Sequence, residues 1–150
     1  MPCRISSCSR YPPHTPRWAP PRDALLMTPD IRALGRISEW ARSAGCALCV
    51  TPGPKITRPP GWLVVARDAM DDPDTMIDRL TTFRMRHPET QVMLVSAGAG
   101  VSPAPHPDLP ICDVALPDPA SYDVIETAVR MMHVNNLLWR TQRQPRVLLA

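Results

Sequence analysis

The chain has 150 residues, a formal net charge of +3 and 44% hydrophobic residues, enough for one domain-sized core and not for two. No window reaches the roughly 18 uninterrupted apolar residues of a membrane span, and the N-terminus lacks the apolar run of a secretory signal. Proline is strongly over-used, with 20 residues against an average near 5%, and its clusters punctuate the chain.

Residues 1–22 hold six prolines and no periodic apolar pattern, and read as a disordered or extended arm. The folded domain is expected over residues 23–142, with residues 143–150 as a tail. Ala24–Met27 is a short apolar run, as expected of a strand. Over Asp30–Ala44, Ile31, Leu34, Ile37, Ala41 and Ala44 recur at helical spacing. Thr28 is the expected cap, Pro29 the first turn and Gly45 the stop. Cys46–Val50 is a second apolar run, and Thr51–Pro60 holds four prolines, which exclude a regular helix or central strand.

Trp62–Ala66 is a third apolar run. A helix is predicted over Pro73–Arg86, with Met76, Ile77, Leu80 and Phe83 on one face. The acids Asp68, Asp71, Asp72 and Asp74 suit the N-terminal end of its dipole better than they suit a calcium loop, whose spacing they lack. Gln91–Ser96 and Ile111–Leu116 are the fourth and fifth runs. Between them, Gly98-Ala99-Gly100 reads as a flexible turn, and Val101–Pro110 holds four more prolines. Pro119–Gln142 is a long helix with Tyr122, Ile125, Val129 and Met132 about one turn apart.

Apolar strands alternating with helices imply an α/β fold with a parallel sheet covered on both faces. Five strands suit a doubly wound, flavodoxin-like sheet of order 2-1-3-4-5. The two proline loops replace the second and fourth helices of such a fold, which are expected to be shortened or missing.

Several segments, in order, resemble the receiver domain of response regulators: LLMTPDIRALGRISEWARSAG, WLVVARDAM, HPETQVMLVSA and CDVALPDPASYDVIETAVRMM. The last, extended to Arg140, is also loosely similar to the receiver-like front of sigma-54-type flagellar regulators. The resemblance implies a phosphoacceptor pocket built from an acidic pair after the first strand, an aspartate ending the third, Ser or Thr ending the fourth, and a lysine before the proline that follows the fifth. Here those places hold Thr28 and Pro29 with Asp30 one step late, then Arg67 followed by Asp68, Ser96, and Leu116-Pro117. The only lysine is Lys55, in another loop. A cation at Arg67 opposes a metal ion, at about 4 kcal/mol per unit charge pair at ~4 Å and an effective dielectric of ~20.

The resemblance therefore implies a degenerate receiver without phosphotransfer, acting as a protein-interaction or regulatory module in a bacterial cytoplasm. It needs no cofactor and no metal. The expected surface is the fifth strand with the last helix, including Tyr122, Ile125, Val129, Met132 and Trp139, and the expected occupant a protein partner or a second copy. Two further readings stand beside it: the front end of a DNA-binding or sigma-54 ATPase regulator, and a small-ligand flavodoxin-like domain.

Other motifs read more simply. The five cysteines, Cys3, Cys8, Cys46, Cys49 and Cys112, do not form a disulfide pattern, which fits a reducing compartment. Cys46 and Cys49 lie in one strand, and residues three apart on a strand point to opposite faces, so they read as small hydrophobes rather than zinc ligands. His87 and His106 sit beside prolines and His133 lies on the last helix, none with an obvious catalytic partner. The arginines of the arm and of the end of the last helix read as solvated charge rather than a nucleic-acid surface. Val147-Leu148-Leu149 is a short apolar run that either adds as an edge strand or stays disordered.

Overall fold

A computed structural model describes residues 19–52, 56–69, 72–97 and 111–143, with the side chains of Asp68, Pro73 and Ala97 left out. Of the expected arm over residues 1–22, residues 1–18 lie outside the described residues, as do the Gly98-Ala99-Gly100 turn, the Val101–Pro110 loop and the tail beyond Arg143.

Five strands, β1 (Asp23–Met27), β2 (Ala47–Thr51), β3 (Trp62–Ala66), β4 (Gln91–Ala97) and β5 (Val114–Asp118), form one parallel sheet of order β2-β1-β3-β4-β5. This is the doubly wound order expected from the alternation of runs. Among the described residues, three α-helices flank it: α1 (Gly35–Ser43), α2 (Pro73–Arg86) and α3 (Tyr122–Arg143).

Successive side chains of a strand point to opposite faces, and the core divides accordingly. Ala24 and Leu26, then Trp62, Val64 and Ala66, then Met93 and Val95, then Val114 and Leu116, face α1 and α3. Met27, Leu63, Val65 and Val92 face α2, whose Met76 and Leu80 cover them. Trp62 is fully buried and meets Trp40 of α1 edge-on, with centroids 6.0 Å apart.

Local chemistry sets the helix ends. Gly45 closes α1 with φ at +81°, in the left-handed region that favours glycine. The Cys46 N–H donates to Ala41 O at 2.9 Å and the Gly45 N–H to Arg42 O at 3.0 Å, the paired closure of a Schellman motif. Asp72 caps α2: its carboxylate accepts from the Asp74 N–H at 3.2 Å and from Thr75 Oγ1 at 2.9 Å. These bonds hold the Asp72 carboxyl below its usual range. Asp72→Ala is expected to cost about 1 kcal/mol, read as a lower urea midpoint with an unchanged slope.

Four expectations need correction. The first helix opens as a 3-10 turn over Ile31–Leu34, capped by Asp30 rather than Thr28; the Asp30 carboxylate accepts from the Arg32 N–H at 3.0 Å. Ile77 is 42% exposed, because the buried side of α2 runs through Met76, Leu80 and Arg84. The fifth strand spans Val114–Asp118 rather than Ile111–Leu116, since Ile111 and Cys112 pack as a turn against the α2 side. Pro117 thus sits inside β5, an edge strand, where sheets tolerate proline. Between β2 and β3, the described residues carry no helix, as the proline count predicts.

Candidate functional site

In open α/β sheets, ligand chemistry gathers at the carboxyl ends of the strands, near the point where strand order reverses. Here that point lies between β1 and β3. Thr28 leaves β1 and is buried; its hydroxyl donates to Asp30 O at 2.9 Å and accepts from the Asp30 N–H at 3.2 Å. Its own N–H donates to Thr51 O at 3.0 Å. Thr28 therefore closes a turn and presents nothing outward.

The Asp30 carboxylate is engaged locally. It accepts from the Arg32 backbone N–H and from Arg32 Nε at 3.1 Å, and this pairing pulls its carboxyl below the usual range. Arg67 is exposed and starts a 3-10 turn, Arg67–Ala69, directly after β3. Ser96 is buried near the end of β4.

Leu116 is a correction. It is fully buried in the core that faces α1 and α3, so it stands at no pocket. The proline that follows β5 is Pro119, and the residue before it is Asp118, joined by a cis peptide bond. Where the resemblance implies a lysine, the structure places an acid.

The interaction face also needs correction. Ile125, Val129 and Met132 are each 0% exposed and seat α3 on the sheet. Tyr122 is exposed, and its hydroxyl donates to Glu39 Oε2 of α1 at 2.7 Å. Trp139 is half-covered: the Arg84 guanidinium lies 3.9 Å and that of Arg143 4.9 Å from its ring centre. The outward stripe of α3 is instead Val124, Val134 and Leu138, flanked by Leu137.

A buried polar network at the opposite end of the sheet has no counterpart in the sequence reading. Arg84 of α2, Asp113 before β5 and Asn136 of α3 are all almost completely buried. Arg84 Nη2 donates to Asp113 Oδ1, and Asp113 Oδ2 accepts from the Val92 N–H at 2.8 Å and from Asn136 Nδ2 at 3.3 Å. Asn136 Nδ2 also donates to Pro88 O at 3.1 Å. Burial pushes the Asp113 carboxyl up and the Arg84 guanidinium down, against their mutual attraction. A signal for it exists in the sequence: Met76, Leu80 and Arg84 follow each other at i, i+4 and i+8, so a charged residue continues an apolar stripe.

Beside α2, a groove of about 350 Å³ is lined by Met27, Ile56, Leu80, Phe83, Arg79 and Arg86, among others. Cys46 lies just before β2, buried in the core that faces α1 and α3, so the two do not share one strand as expected; Cys49 is on β2 and exposed. Burial pushes the Cys46 and Cys112 thiols up to about 11. Among the described residues, no three His, Cys, Asp or Glu side chains converge to hold a metal ion, and no helix is long and apolar enough to cross a membrane.

No family model and no curated protein matches the chain. Solved structures are. NtrX from Brucella abortus, in complex with ADP, is 15% identical with a TM-score of 0.60; the match covers 83% of this chain and 29% of NtrX. A response regulator receiver domain protein from Clostridium thermocellum is 12% identical with a TM-score of 0.57, covering 77% of this chain and 97% of the other. A response regulator from Thermotoga maritima is 12% identical with a TM-score of 0.57, covering 78% and 99%. This chain therefore spans under a third of NtrX and nearly the whole of the two smaller proteins. At such identities the likeness is one of fold: the chain has the five-stranded receiver architecture.

Proposed function

We propose that this domain is a receiver-like regulatory module that works by protein–protein contact, without phosphotransfer or other catalysis, in a bacterial cytoplasm. The observation that carries this reading is the set of residues at the strand exits. Thr28 is closed on its own turn, Asp30 is engaged by Arg32, Arg67 follows β3, and Asp118 stands before Pro119. Magnesium needs near-octahedral oxygen coordination and usually one or two free carboxylates. A hydroxyl bonded to its own backbone, an already paired carboxylate and a guanidinium do not fit that demand. An acid before Pro119 repels the phosphoryl group that a lysine in that place would neutralise.

The surface that supports binding is the outward stripe of α3, Val124, Val134 and Leu138, with Leu137 beside it. Val134, Leu137 and Leu138 are neighbours at i, i+3 and i+4 on the helix, and exposed apolar residues that cluster mark interaction sites. The test is incubation of the purified chain with acetyl phosphate and Mg²⁺, followed by intact mass measurement, beside a working receiver as control. The expected result is an unmodified chain under conditions that fully modify the control; a phosphoryl group on Asp68 would sink the reading.

A second reading is favoured by the NtrX match, in which this fold forms 29% of a longer chain. On that reading the domain is the regulatory front end of a larger regulator. An ATPase or DNA-binding reading frame directly following its gene supports it, and an unrelated one opposes it.

A further inference from the structure

The two edges of the sheet are built differently. On β5, Val114, Ala115 and Leu116 are buried, and the strand carries Pro117 and Asp118. Proline, charge and cover are the usual protections against strand-to-strand association. Among the described residues, β2 has none of them. Its sequence, Ala-Leu-Cys-Val-Thr, is uncharged and proline-free, and Ala47, Cys49 and Val50 are exposed. Among the described residues no strand lies beyond it. Val50 is 53% exposed, a β-branched side chain on an open edge.

The hydrogen-bond register of this edge is self-complementary. The Ala47 N–H donates to Arg22 O, and Thr51 O accepts from the Thr28 N–H. Backbone groups of alternate residues point to the same side, so Ala47, Cys49 and Thr51 bond inward to β1. Leu48 and Val50 then aim their N–H and C=O groups outward. An antiparallel second copy pairs Leu48 with Val50 of the other chain, and Val50 with Leu48, through two rings of hydrogen bonds. Cys49 falls between them, on the twofold axis, as a non-hydrogen-bonded pair with its own copy. Such pairs bring Cα atoms to about 4.5 Å.

The side chains agree with this arrangement. Leu26 pairs with Val50 and Ala24 with Leu48, so Leu48 and Val50 share the face covered by α1. Across the twofold, the exposed Val50 packs on the half-buried Leu48 of the other copy, a favourable cross-strand apolar pair. A closed isologous contact of this kind needs no second surface.

We infer that β2 is a self-association edge: two copies of this chain pair antiparallel through Leu48 and Val50, joining two five-stranded sheets into one. This surface is separate from the α3 stripe and does not depend on it. The paired strands are short and bury less than the roughly 800 Å² per partner of a standard interface, so the dimer forms reversibly with concentration.

The test uses the full chain with Cys3 and Cys8 changed to serine and a short bis-maleimide as the probe. The expected product is a Cys49–Cys49 cross-link, identified by peptide mass spectrometry, together with a concentration-dependent dimer in sedimentation. Cys49→Ser removes the cross-link and leaves the sedimenting dimer. Val50→Lys lowers both dimer and cross-link by about tenfold or more, because lysine on an open edge blocks pairing. Val50 is exposed, so this variant keeps its fold, checked by an unchanged urea midpoint. A chain that stays monomeric at its highest soluble concentration overturns the proposal. So does a dimer that survives Val50→Lys but is lost with Val134→Lys, which places the contact on α3. A monomer whose Leu48 and Val50 amides resist hydrogen exchange until residues 144–150 are removed also overturns it, since the chain's own tail then fills the edge.

Discussion

Replacing Asp113 with alanine is expected to lower folding stability by about 3–5 kcal/mol, because it breaks the buried ion pair that the Asp113 carboxylate makes with the Arg84 guanidinium. The loss reaches beyond the ion pair. Asp113 also accepts the Val92 N–H and the Asn136 amide, and a buried donor stripped of its partner carries its full desolvation cost. Urea unfolding followed by circular dichroism reads the effect. Native stabilities of only about 5–15 kcal/mol make a loss of this size a large part of the total. The double variant Arg84→Met/Asp113→Leu separates charge from packing. With both ionic groups gone and the volume kept, its stability is expected to return towards that of the unaltered chain. A double variant as unstable as Asp113→Ala would show that the hydrogen bonds to Val92 and Asn136, rather than the charge balance, hold this corner of the fold.

Ile125→Ala is expected to cost about 2–5 kcal/mol, the range for removing a fully buried aliphatic side chain. Leu138→Ala, on the opposite side of the same helix and 56% exposed, is expected to stay within about 0.5 kcal/mol. Urea midpoints measured on both variants check the contrast. Equal losses would mean that the outward stripe of α3 is already covered. Binding assays should show the reverse pattern: if α3 docks a partner, Leu138→Ala weakens docking while Ile125→Ala acts only through stability.

This contrast shows what the sequence could and could not disclose. The five strands are legible because strands buried on both faces are written as continuous apolar runs. Pro73 and Gly45 mark helix ends through chemistry that acts within a turn. The last helix is harder, because it carries two apolar stripes. Periodicity alone does not say which one meets the sheet: of Tyr122, Ile125, Val129 and Met132, the last three are fully buried and Tyr122 is exposed. Leu116-Pro117 misleads for a related reason. Proline reads as the end of a strand, whereas an edge strand runs through it to Asp118. Arg84 and Asp113 lie 29 residues apart, and neither makes sense until tertiary packing brings them together.

The position of that buried network has a consequence for how this chain tolerates change. Asp113, Thr90, Pro88 and Asn136 meet where the strands begin, while Thr28, Arg67, Ser96 and Asp118 stand where they end. One end of the sheet anchors the fold; at the other, the display end, Thr28 and Ser96 are buried while Arg67 is exposed and Asp118 half-buried. Substitutions at the display end therefore leave the anchor intact, and Arg67 or Asp118 can be exchanged at little cost to folding. A domain divided in this way separates the residues that hold its architecture from those at its strand exits.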